Sequence, residues 1–176
     1  MTNTEWALPS WNDKSAKHAI LDFVAKTAAE GGPDYIPPAE RIAAFDNDGT
    51  LWVEQPAPAQ TELLVTKLVQ EVEANPALAA EDPYKGIVTK DPAFLQGLAQ
   101  QVPEAVLAFL AGVGKAWEGT TPEAYEAEVR AYLSTTMHPR WNRPWTDLIY
   151  QPMLELFDFL KDNDWRVFVC SGGGRD

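Results

Sequence analysis

Residues 45–52 read Phe45-Asp46-Asn47-Asp48-Gly49-Thr50-Leu51-Trp52. They close an apolar run that begins at Arg41-Ile42-Ala43-Ala44. A short apolar run bounded by turn residues predicts a buried strand over 41–46. On an extended chain, side chains two positions apart share a face, so Asp46 and Asp48 leave the strand end in one direction. Gly49 and Thr50 then allow a sharp turn. A strand that delivers Asp-x-Asp-Gly-Thr into a loop sets a nucleophilic carboxylate beside a second carboxyl able to move a proton. That pairing suits phosphoryl transfer through an aspartyl phosphate.

A second apolar run, Trp165-Arg166-Val167-Phe168-Val169-Cys170, leads into Ser171-Gly172-Gly173-Gly174 and predicts a second strand over 165–170. Glycines after a strand let the backbone come close to an anion, and a following helix N-terminus would add amide donors. The order of the two runs, Asp46-Asn47-Asp48-Gly49-Thr50 first and the strand ending at Ser171-Gly172 second, resembles the first two motifs of the haloacid dehalogenase superfamily. Most members of that superfamily are phosphatases.

The resemblance implies an α/β fold with a Rossmann-like parallel sheet core and a large helical cap inserted between the two motifs. Residues 1–55 and 148–176 would form the core, and 56–147 the cap. Asp46 would be the nucleophile that takes the phosphoryl group. Asp48 would protonate the leaving oxygen and later deprotonate the hydrolytic water. An Asp46 oxygen and the Asp48 main-chain carbonyl would ligate Mg²⁺, a hard cation that prefers oxygen. The Ser171 hydroxyl and the Gly172 amide would hold phosphate oxygens. Dehalogenases of the superfamily usually lack an acid at the position of Asp48, because a halide leaves without a proton; Asp48 therefore favours phosphate chemistry.

The superfamily places two more motifs after the second: a lysine or arginine that steadies the charged intermediate, and an acidic loop that completes metal binding. Only five residues follow Ser171 here. The core is thus expected to be incomplete, either as the front part of a longer enzyme or as a chain that completes itself by association. The leading reading is a Mg²⁺-dependent phosphomonoester hydrolase acting on a small phosphorylated substrate. Two alternatives stay open: a non-catalytic chain that self-associates or binds a partner through its open sheet edge, and a 2-haloacid dehalogenase.

Other readings of the same residues fare worse. Asp-Asn-Asp-Gly is also ordinary turn composition. A calcium loop needs glycine sixth and a bidentate Glu twelfth, but Gly49 is fourth and Ala57 stands twelfth. No Gly-Lys-Ser/Thr follows the glycine run, so it is not a Walker loop.

The helical pattern fills most of the remaining chain. Asn12 or Asp13 is placed to cap a helix over 14–30 with Ile20, Phe23 and Val24 on one face, stopped by Gly31-Gly32-Pro33. Pro58 opens a helix carrying Leu64, Leu68 and Val72. Asp91-Pro92 reads as a cap followed by proline at the first helical position, with Phe94, Leu95 and Leu98 inward. Pro103-Glu104 starts a segment with Val106, Leu107 and Leu110 inward. Thr121-Pro122-Glu123 repeats the cap-then-proline pattern for a stripe of Tyr125, Val129, Tyr132 and Leu133. A helix over 152–163 carries Met153, Leu156, Phe157 and Leu160 into the second strand. Such a helix between parallel strands is the α/β crossover.

His138, Arg140 and Arg143, interleaved with Trp141 and Trp145, form the one concentrated basic-aromatic stretch. It reads either as a solvated loop with its tryptophans on the core, or as an element presenting Arg140 or Arg143 to a substrate anion. His18 is expected on a helix surface, and Cys170, the single cysteine, as a small buried filler. One cysteine permits no intrachain disulfide.

A net charge of −12 disfavours nucleic acid or an anionic membrane as partner. It also means that an anionic substrate must be drawn in by local donors and a metal. No apolar run is long enough to span a bilayer. The start, Met1-Thr2-Asn3-Thr4-Glu5-Trp6, has neither a basic nor an apolar leader segment, which places the chain as given in the cytoplasm, with export of a longer precursor left open.

Overall fold

The computed structural model describes residues 7–172. The start of the chain and the glycines after Gly172 lie outside the described residues, as does any helix opening there. The protein is rich in helix, with a small parallel sheet of two strands, β1 (Ile42–Phe45) and β2 (Arg166–Val169). Among the described residues no helix is long and apolar enough to cross a membrane. The chain divides into two compact units: one gathers the described residues up to Gln55 and from Thr146 onward, and the other runs Pro56–Trp145.

The first unit holds α1 (Ser15–Ala28), β1, α7 (Gln151–Asp162) and β2. Its core is Leu8, Val24, Leu156, Leu160 and Trp165, with Ala43, Phe45 and Val167 of the sheet packed against it. The period of two explains which strand residues take part. Ala43, Phe45 and Val167 face the helices, and the Phe45 ring lies 4.9 Å from that of Phe157 on α7. The opposite face carries Ile42 and Phe168, each about half exposed. Cys170 shares that face with Phe168 and is exposed, not a buried filler as its apolar strand suggested.

Arg41 pins the strand starts. It is only 4% exposed, and its guanidinium donates to the carbonyls of Ile36 (2.8 Å) and Asn163 (3.0 Å). Its own carbonyl accepts from Arg166 N–H at 2.9 Å, the first rung of the ladder. The turn out of α7 passes through Asp164 at φ +61°.

α1 is not capped by Asn12 or Asp13: its N-cap is Lys14, with no side-chain bond to the helix end. Asp13 instead meets His18 Nε2 at 2.6 Å, on the surface as expected for that histidine.

The second unit holds α2 (Ala59–Ala74), α3 (Tyr84–Val88), α4 (Pro92–Ala99), α5 (Pro103–Ala116) and α6 (Pro122–Thr135). Two caps take the form the sequence predicts: Asp91 Oδ1 accepts from Ala93 N–H at 2.8 Å, and Thr121 Oγ1 from Ala124 N–H at 3.2 Å, each with proline in the first turn. The core is Leu68, Tyr84, Ile87 and Phe94.

The α5 stripe differs from expectation. Leu107 and Leu110 are more than half exposed, and the inward face is Ala105, Ala108, Phe109, Gly112 and Val113. Small residues let α5 approach its neighbours closely, which turns the larger leucines outward. Leu95 on α4 is likewise 40% exposed. Leu95 and Leu107 line an apolar groove of about 830 Å³, with Leu98, Val106 and Phe109.

Candidate active site

The parallel register pairs Ile42 with Arg166 and Phe45 with Val169, so both strands end level. Cys170 N–H donates to the Phe45 carbonyl at 2.7 Å and carries the pairing one residue further. Asp46 therefore leaves β1 beside the point where Cys170 and Ser171 leave β2. The two sequence motifs, over a hundred positions apart, meet at one end of one sheet. The carboxyl end of a parallel sheet is where α/β folds place ligands, because the loops there diverge and leave a crevice. Asp46, Ser171 and Gly172 are exposed, and Asp48 is half-buried.

After Asp46 the backbone folds tightly on itself. The Asn47 carbonyl accepts from Thr50 N–H at 3.1 Å and from Leu51 N–H at 2.8 Å. Gly49 takes φ +73°, in the left-handed region that glycine enters most readily. A Cβ on Gly49 would stand 2.8 Å from Glu54 Oε2, so the Glu54 carboxylate lies directly against the turn.

Leu51 is buried, and its carbonyl accepts from Tyr150 N–H at 2.8 Å. Trp52 forms backbone bridges with both Asp48 and Ile149. Its indole Nε1 donates back to Asp48 Oδ1 at 2.8 Å. Sequence reading missed both Trp52 and Glu54 as members of this loop. The available signal was spacing: Trp52 is four residues past Asp48 within a turn too tight for it to leave.

Arg140 and Arg143 belong to the other unit, and both are exposed. The Arg140 guanidinium lies over the Trp141 ring at 4.9 Å. The loop is organised by His138, which is 1% exposed and stacks edge-on against the fully buried Trp145. His138 Nδ1 accepts from the backbone N–H groups of Arg140 (3.1 Å) and Trp141 (3.3 Å), and the His138 backbone N–H donates to the Arg143 carbonyl at 2.9 Å. Of the two tryptophans, Trp145 is core and Trp141 is half exposed.

Among the described residues no three His, Cys, Asp or Glu side chains stand together as a metal cage. The donors the loop offers are the Asp46 carboxylate and the Asp48 main-chain carbonyl. Both are hard oxygens, and Mg²⁺ commonly keeps several waters while taking only one or two carboxylates. The donor set fits that ion in kind. No protein-family model matches the chain, and no curated protein matches it either.

Proposed function

We propose that the chain carries the nucleophile and phosphate-gripping residues of a Mg²⁺-dependent phosphomonoester hydrolase of the haloacid dehalogenase type, with residues 56–147 as its helical cap and the two-stranded sheet within a Rossmann-like core. The observation that carries the reading is the register: two motifs distant in sequence leave adjacent strands at the same carboxyl end of one parallel sheet. Asp46 attacks phosphorus, and the leaving oxygen takes a proton from Asp48. Water then attacks the aspartyl phosphate and gives its proton to Asp48, which restores both carboxyls. Ser171 and Gly172 hold the non-bridging oxygens. Asp46 and the Asp48 main-chain carbonyl would hold Mg²⁺, which would supply the positive charge that lets a carboxylate approach a phosphate. With a chain charge of −12, that local charge is needed twice over. Arg140 and Arg143 are the candidate contacts for a substrate anion.

The test is hydrolysis of an aryl phosphate with and without Mg²⁺. We expect metal-dependent turnover, and Asp46→Asn to lower it by at least ~10³-fold, the scale seen when a chemical participant is removed. Unchanged turnover in that variant would remove Asp46 as nucleophile. The half-exposed Ile42, Phe168 and Val169 favour a second reading, a non-catalytic chain that associates through its sheet. A protein that is inactive and runs at twice its own mass would support that reading instead.

A further inference from the structure

We infer that Trp52 is a positioning residue for Asp48, fixing which carboxyl oxygen gives up and takes back the proton; the inference rests on the phosphohydrolase reading above. The indole N–H is a donor only. Because it donates to Asp48 Oδ1, that oxygen is the acceptor whether the carboxyl is charged or neutral. The transferable proton is therefore carried on Oδ2. In the first step the Oδ2 proton passes to the leaving alkoxide oxygen as its bond to phosphorus breaks and the Asp46–phosphorus bond forms. In the second, water bonds to phosphorus, its proton goes to Oδ2, and the Asp46–phosphorus bond breaks. Trp52 exchanges no proton in either step.

The arm that holds Asp48 is itself held. The Trp52 backbone bridges to Ile149 on one side and to Asp48 on the other. The preceding residue, Leu51, is buried and tied to Tyr150 N–H. The indole is thus anchored to the segment that opens α7, so it is not a loose side chain that happens to reach a carboxylate. Holding a proton donor in one orientation lowers the entropic cost of transfer.

Trp52→Phe keeps an aromatic ring and deletes the donor. On an alkyl phosphate, whose leaving group needs a proton, we expect kcat/KM to fall about tenfold, equivalent to about 1.4 kcal/mol. On a nitrophenyl phosphate, whose leaving group departs as a stable anion, the fall should stay within about twofold. An equal loss on both substrates would mean a merely structural role and overturn the proposal. A second measurement needs neither turnover nor that variant. In protein labelled with ¹⁵N-tryptophan, Asp48→Ala should move the Trp52 indole N–H resonance upfield and leave the other six tryptophans nearly in place. An unmoved resonance also overturns the proposal. A shifted resonance in a protein without Mg²⁺-dependent turnover would leave the hydrogen bond standing but sink the phosphohydrolase reading, and the role of Trp52 with it.

Discussion

Gly49 shows how little freedom the motif loop has at single residues. Two effects oppose a side chain there: the backbone at φ +73° and the Glu54 carboxylate 2.8 Å from a Cβ. They differ in weight. A left-handed conformation costs an ordinary residue roughly 1–2 kcal/mol. Glu54 is exposed, and the threatened atom is the tip of a flexible chain, which swings aside at little cost. Gly49→Ala should therefore lower stability by about 1–2 kcal/mol in urea unfolding, and adding Glu54→Ala should recover little of it. Full recovery in the double variant would show that the clash, and not the backbone, dominates. The same reasoning explains why the loop was readable from sequence. Gly49 and Thr50 are turn residues for local reasons, and local reasons survive translation into structure. The partner that approaches from four residues away, Trp52, is a tertiary matter decided by where Ile149 and Tyr150 lie.

At the scale of elements, α5 separates propensity from packing. Gly112 and Gly114 lie two residues apart on one helix. Gly112 is buried, and a Cβ there would meet the Pro83 ring at 2.5 Å and Leu68 Cδ2 at 3.3 Å. A Cβ on Gly114 meets nothing within 4 Å. Replacing helical Gly by Ala normally gains up to about 1 kcal/mol. Gly114→Ala should show that gain. Gly112→Ala should lose about 1–3 kcal/mol, because a proline ring has no rotamer with which to yield and overpacking outweighs propensity. Chemical denaturation of the two variants side by side checks the opposite signs; stabilisation by both would refute the contact. This helix is also where the sequence misled. Leucines at 107 and 110 read as a core stripe, yet Ala105, Ala108 and Gly112 face inward. Hydrophobicity alone cannot tell a large residue facing a groove from one facing the core. The capped starts at Asp91 and Thr121, by contrast, were legible because a cap needs only its own next three residues.

Over the whole molecule, each unit has its own core, and the helical unit adds a polar joint. Glu128 on α6 accepts from Lys67 Nζ on α2 at 2.8 Å and from Trp117 Nε1, just past α5, at 2.9 Å. The Lys67 ammonium also lies 5.3 Å from the centroid of the Trp117 ring. One carboxylate thus ties three helical segments, and neither oxygen is left to water alone. Burial pushes the Glu128 carboxyl up, but the bonds from Lys67 and Trp117 and the lysine's charge outweigh it and hold the group below the usual carboxylate range. The sign follows from linkage: a depressed folded value means that the unfolded chain binds the proton first as pH falls. The stabilisation is fully present above the unfolded value of about 4.3 and is lost as pH drops through the lower folded value. Glu128→Gln should therefore cost about 1–2 kcal/mol at neutral pH, the scale of hydrogen bonds to a charged group. The same comparison in acid, below that unfolded value, should show a narrower gap, because the unfolded parent chain then takes up the proton first. Urea midpoints of both proteins at the two pH values decide it. A gap that stays constant with pH would mean that the carboxylate's charge contributes nothing and that Glu128 acts only as a neutral acceptor between Lys67 and Trp117.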